Sequence, residues 1–187
     1  MNRYHRWYCR SDRWARRLQG TILPGVLKGV ELGDNLLEIG PGPGVATDWL
    51  RSRAALVTAI EIDSRLAQGL RDRFHATNVT VVEGDATSMP FPDASFSGAV
   101  AFTMLHHVPY AVQDRLVAEA ARVLRPGAIF AGMDSTPSVS WNLYHLFDDR
   151  NPVDPTTLED RLRAAGFAQA SVRTGNGGFS FRATKGE

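Results

Sequence analysis

One cysteine, Cys9, stands in the whole chain, so no internal disulfide can form and no cysteine-rich metal site can be built. No run approaches the ~20 apolar residues of a membrane span, and the basic N-terminus has no apolar core of signal-peptide length. Repeats and low-complexity tracts are absent as well. Neither sign of charge dominates: a formal net charge of +1 with 22% charged residues gives no global field to draw in nucleic acid or an anionic membrane. The expectation from these absences is a soluble, cytoplasmic protein with no membrane span. Its 187 residues, 43% of them hydrophobic, suit one domain with a full core.

Apolar strand-like runs alternate with helical patterns. Strands are predicted at Asn35–Ile39, Leu56–Glu61, Val79–Glu83, Phe96–Phe102 and Ala128–Met133, each mostly apolar on both faces as a buried parallel sheet requires. Helices are predicted at Val45–Arg53, Ser64–His75, Val112–Leu124 and Thr156–Ala165, the third ending at Pro126-Gly127. No long helix separates Glu83 from Phe96. The tail changes period, with Phe167–Thr174 and Phe179–Thr184 flanking a glycine-rich turn, which predicts a β-hairpin. The fold class is therefore α/β, a Rossmann-like doubly wound sheet, mostly parallel with a C-terminal antiparallel hairpin.

The richest segment is Leu36-Leu37-Glu38-Ile39-Gly40-Pro41-Gly42-Pro43-Gly44, an apolar strand that delivers an acid into a turn with glycine at every second position. Such a turn lets a ligand press on the main chain. Taken alone it is also compatible with a simple strand-to-helix link. Glu38 would repel a pyrophosphate and welcome an ammonium or the ribose end of a sulfonium nucleoside. A nicotinamide fingerprint would need a small residue at position 45, where this chain has Val45. Glu61, 21 positions after Gly40, ends the second strand with a carboxylate suited to a ribose diol, while Asp63, beside Ser64, has the chemistry of a helix N-cap.

With its glycine loop, these acids and the antiparallel tail, the chain resembles class I S-adenosylmethionine-dependent methyltransferases from about residue 30 to its end, so seven strands are expected. The resemblance implies that Glu38, Gly40, Pro41, Gly42 and Gly44 cradle the cofactor and that Glu61 holds the ribose. It further implies that Asp85 accepts from the adenine amino group, that the Ala86 N–H meets the adjacent ring nitrogen, and that Ile62 with Met89 or Phe91 sandwiches the base. Phe102, ending the fourth strand, completes the set. Asp85 can alternatively be an ordinary turn aspartate. Leu37–Arg73 also looks like ribosomal RNA adenine dimethyltransferases. Their Asn-(Leu/Pro)-Pro-(Tyr/Phe) motif after the fourth strand is replaced here by Phe102-Thr103-Met104-Leu105-His106-His107, so base methylation finds no support and no nucleic-acid partner is expected.

The Leu-His-His-Val run is similar to methyltransferases acting on small molecules, so methyl transfer to a small-molecule oxygen, nitrogen or carbon is expected. His106 is the candidate base for a hydroxyl acceptor, the alternative being a helix-start or cofactor-facing residue. No counterpart of the carboxylate cluster of magnesium-dependent relatives is visible, so no metal is expected. Two rival readings stay open, a nicotinamide oxidoreductase and a non-catalytic or partner-dependent cofactor-binding protein.

Asp134 closes the fifth strand, and Trp141, Asn142, Tyr144, His145 and Phe147 follow it as candidate acceptor-pocket or sheet-edge residues. The first 30 residues form an arm before a core of residues 31–187. That arm carries six arginines among its first 17 residues. Tyr4, Trp7, Tyr8, Ser11, Ala15 and Leu18 fall on one helical face, which predicts a helix over the cofactor cleft with its arginines in solvent. An anionic-acceptor site and a nucleic-acid or lipid contact are the alternatives.

Overall fold

The computed structural model describes residues 7–138, 150–175 and 177–187. Seven strands, β1 (Asn35–Ile39), β2 (Leu56–Glu61), β3 (Val79–Glu83), β4 (Phe96–Phe102), β5 (Leu124–Ser135), β6 (Phe167–Gly175) and β7 (Gly178–Lys185), form one sheet of order β3-β2-β1-β4-β5-β7-β6. The first five strands run parallel, and β7 is antiparallel to both β5 and β6. β1 to β4 have the predicted bounds. β5 starts earlier than predicted, because Leu124 already turns extended after helix α5 (Tyr110–Val123) and pairs with Phe96. Pro126, which has no N–H for the ladder, lies in the register shift that follows.

Side chains alternate across the central strands, as a period of two requires. Leu37, Ala99, Ala101 and Phe130 face a core built with Leu116, Val117 and Ala120 of α5 and with Leu158 and Leu162 of α6 (Pro155–Ala164). Leu36, Val100, Phe102 and Ala131 face the other way. That second core takes Ala46 and Leu50 of α3 (Val45–Leu50) and, from the N-terminal segment, Leu18, Leu23 and Leu27. The edge strands are less buried than expected of a sheet covered on both sides: β3 is only half-buried, and β6 is largely exposed beyond Phe167.

Asp63 caps α4 (Ser64–Arg73), as predicted, accepting from the N–H groups of Arg65 and Leu66 at 2.9 and 3.1 Å. The N-terminal segment is not one continuous helix. Ser11 is extended and caps the short helix α1 (Asp12–Arg17), which runs through a π-turn at Leu18–Ile22 into α2 (Leu23–Val26). The predicted single face is thus broken at Ser11; Leu18 is buried, whereas Trp7 is 64% exposed. Arg10, Arg13, Arg16 and Arg17 are exposed. Tyr4, and Trp141 through Phe147 of the candidate acceptor pocket, lie outside the described residues. Among the described residues no helix is long and apolar enough to cross a membrane.

Candidate active site

β1, β2, β3 and β4 bring their carboxyl ends to one edge of the sheet, where open α/β sheets bind ligands. The loop after β1 is stitched to β2, since the Gly40 N–H donates to the Ile60 carbonyl at 3.0 Å. Gly42 has φ 56°, a left-handed conformation that disfavours a side chain, and a Cβ built there would meet nothing within 4 Å. This glycine leaves the loop open to a close-lying ligand. At Gly40 the space is instead taken by Met104, whose side chain lies 3.0 Å from the position of a Cβ.

Glu61 ties two loops together. Its Oε2 accepts from the Gly42 N–H and its Oε1 from the Asp63 N–H, both at 3.0 Å. Burial raises its pKa, those two donors pull it back, and the neighbouring Asp63 carboxylate raises it again. A carboxylate has about four acceptor sites, so the side chain is fixed in place and still able to accept from a diol. Ile62 beside it is 68% exposed, an apolar surface open at the strand end.

Glu38 is placed differently from its expected role. Only 2% exposed, it accepts from the Thr47 hydroxyl of α3 at 2.6 Å, a strut between strand and helix behind the loop. Desolvation drives its pKa up to about 7, against the Thr47 hydrogen bond and with a contribution from Glu61. The neutral form is therefore favoured by folding. Stability from neutral Glu38 is fully present below pH 4.5 and is lost as pH rises through about 7, a difference of about 3 kcal/mol at alkaline pH. Glu38→Gln, which keeps an acceptor for Thr47, is expected to raise the melting temperature by several degrees at pH 8 and little at pH 5. Parallel pH–Tm curves for the two proteins would contradict this.

Asp85 folds into a turn of its own, its Oδ1 accepting from the Thr87 N–H at 2.8 Å. It is exposed and Ala86 is half-buried. Met89 is withdrawn from the proposed adenine sandwich: it is 5% exposed, belongs to the core on the α5 face, and its N–H donates to Glu119 at 2.7 Å. Phe91 packs edge-on against Phe96. Arg122, which sequence reasoning passed over, clamps this loop by donating to the carbonyls of Phe91 and Met89 and to Asp93. The ring of Phe102 is buried in the core beneath the N-terminal segment, so only its backbone is available to a ligand.

Beyond β4, Thr103 adopts φ 51°, a strained conformation for a β-branched residue, with its N–H held by the Met133 carbonyl at 2.8 Å. The chain then turns through a short 3₁₀ segment, Leu105–His107. His106, 2% exposed, sets its Nδ1 2.5 Å from Oδ1 of Asp134, itself fully buried at the end of β5. The carboxylate also accepts from the His106 N–H at 3.0 Å and the Ser135 N–H at 2.6 Å. Buried Gln113 of α5 braces the turn, donating to Val108 and Asn151 carbonyls, and the Asn151 N–H reaches back to the His106 carbonyl. Sequence reasoning placed Asp134 at a strand end without pairing it to His106, and it missed Gln113, whose only signal is a polar residue on the buried face of α5.

The sheet order, the antiparallel β7, the glycine loop after β1 and the acid ending β2 define the class I S-adenosylmethionine-dependent methyltransferase architecture. The sequence profile described as a methyltransferase domain matches residues 37–132, and the chain belongs to that family. The chain is 39% identical over 128 residues to the 27-O-demethylrifamycin SV methyltransferase of Amycolatopsis mediterranei, covering 65% of this chain and 43% of that one. Identity is 34% over 107 residues to the fatty-acid O-methyltransferase of Mycolicibacterium smegmatis, 56% and 38% of the respective chains. It is 52% over 60 residues to a probable ribosomal RNA small subunit methyltransferase A of Thermococcus onnurineus, 32% and 22%. The chain thus spans less than half the length of these relatives. In fold it is similar to a Pyrococcus horikoshii protein with a TM-score of 0.81 at 18% identity, covering 99% of each chain. It is also similar to a Thermotoga maritima S-adenosylmethionine-dependent methyltransferase, a possible histamine N-methyltransferase, with a TM-score of 0.75 at 22% identity, covering 97% and 98%.

The residues present fit the family's cofactor, S-adenosyl-L-methionine. Gly42 leaves room for close approach, and the Glu61 carboxylate at the end of β2 suits a ligand that carries a diol.

Proposed function

We propose that this protein transfers a methyl group from S-adenosyl-L-methionine to a hydroxyl oxygen of a small molecule, leaving S-adenosyl-L-homocysteine. The observation that carries the reading is the buried His106–Asp134 pair at the carboxyl ends of β4 and β5. The cofactor, when bound, supplies a methyl group already activated on a sulfonium, so the chain need only align the acceptor, exclude water and take its proton.

Glu61, Ile62, Gly40, Pro41, Gly42 and Gly44 form the proposed cradle, with Asp85 and Ala86 at the base end and Glu38 as the strut that fixes the loop from behind. Asp134 accepts from Nδ1 and so sets the tautomer in which Nε2 is the basic nitrogen, the atom to which the acceptor hydroxyl would pass its proton. The imidazolium that results faces a carboxylate held by two backbone N–H groups, which stabilises it where it forms. Two relatives are named for methylation at oxygen on small molecules, which supports that choice of acceptor class. A ribosomal RNA acceptor is less well supported, because Thr103-Met104-Leu105 stands where the asparagine and aromatic platform for a base would be needed.

The test is incubation with methyl-labelled cofactor and, in separate reactions, hydroxylated polyketides, hydroxy fatty acids, simple phenols and ribosomal RNA. Label is expected in an organic-extractable small molecule and not in RNA. Label confined to RNA would overturn the acceptor assignment.

A further inference from the structure

A cavity of about 400 Å³ lies on the outer side of the glycine loop, between α1, the start of α3 and α4. Its wall shares Gly42 and Pro43 with the loop, but Glu61, Asp85, His106 and Asp134 do not line it. Three guanidiniums, Arg10, Arg65 and Arg73, and two carboxylates, Asp12 and Asp48, look into it above an apolar floor that includes Leu66 and Leu70. Asp48 is neutralised by Arg73 and by Arg51 at 3.6 Å. Arg10 and Arg65 make no side-chain ion pair among the described residues, so the rim keeps an excess of positive charge. Guanidiniums over an apolar floor match an organic anion with an apolar body and a phosphate or carboxylate head.

Two side chains in this wall hold the glycine loop from outside. Arg73 Nη1 donates to the Pro43 carbonyl and Gln19 Nε2 to the Val45 carbonyl, each at 2.8 Å. Anything that draws α1 toward α4 therefore steadies both hydrogen bonds and the loop between them. We propose that this cavity is a binding site for an amphipathic organic anion, held between Arg10 and Arg65, and that its occupation tightens cofactor binding. The binding site stands on its own residues; only the coupling rests on the cofactor reading given above.

Phenyl phosphate is the probe, with inorganic phosphate and phenol as its two separated halves, titrated by calorimetry at constant ionic strength. Saturable binding of phenyl phosphate is expected, at least about tenfold tighter than either half, and Arg65→Ala is expected to weaken it about tenfold or more. Arg10→Ala supplies an independent variant, and both sites are exposed, so unchanged melting curves are expected. With the probe saturating, S-adenosylhomocysteine should bind at least about threefold more tightly to the wild type and unchanged to Arg65→Ala. No saturation, wild-type affinity for the probe in either variant, competition between probe and nucleoside, or a nucleoside affinity indifferent to the probe would each overturn the proposal. Failure of the nucleoside to bind at all, with the probe still bound, would instead count against the cofactor reading.

Discussion

Glu61→Ala is expected to weaken binding of S-adenosylmethionine and its demethylated product by at least about 100-fold. Two charge-assisted hydrogen bonds to a ribose diol contribute about 1.5–3 kcal/mol each, and about 1.4 kcal/mol is a factor of ten. The variant loses more than these bonds, because the same carboxylate accepts from the N–H groups of Gly42 and Asp63 and so sets the spacing of two loops. Glu61→Gln separates the contributions. An amide can accept at one oxygen only, so one loop tether and one ribose bond must go, and an intermediate loss is expected. Calorimetric titration of both variants reads this directly; affinities within threefold of wild type would remove Glu61 from the site.

Asp134→Asn is the second large effect, with kcat falling about 100-fold or more while cofactor affinity is unchanged. The side-chain amide turns an NH₂ toward Nδ1 of His106 or loses the contact, and either outcome removes the lone pair from Nε2 or releases the ring. His106→Ala should cost about as much, and the double variant no more than either single one, since the two act as a unit. An unchanged affinity for S-adenosylhomocysteine and an unchanged melting curve in Asp134→Asn separate this from a packing defect. Full turnover by His106→Ala on the true acceptor between about pH 6 and 9 would end the assignment.

The parts of this protein that were legible in its sequence are those set by local chemistry. The bounds of β1 to β4 followed from short apolar runs, and Asp63 as a helix cap from its place before Ser64. Glu61 stood out as an acid at the end of β2, but its hydrogen bond from the Gly42 N–H, 19 residues back, had no local signal. Other long-range partners were no more legible. Asp134 lies 28 residues from His106, and Arg122 reaches 33 residues back to the Met89 carbonyl, distances over which no periodicity operates. Glu38 and Met89 illustrate a second limit. Both belong to motifs whose spacing is right, yet the side chains turn inward, Glu38 of β1 to Thr47 and Met89 of the loop after β3 to the core, because a side chain's facing depends on what packs behind it. The N-terminal arm misled in the opposite way, since an apolar stripe at helical spacing continues through Ser11, whose own side chain caps the next helix and breaks the first.

The cofactor site is tested most directly by titrating the wild-type protein with S-adenosylmethionine, S-adenosylhomocysteine and NAD in parallel. Low-micromolar binding of the two sulfur nucleosides, with no heat from NAD, is the predicted result. Binding of NAD with no response to either nucleoside would contradict it and place the chain's glycine loop with the dehydrogenases.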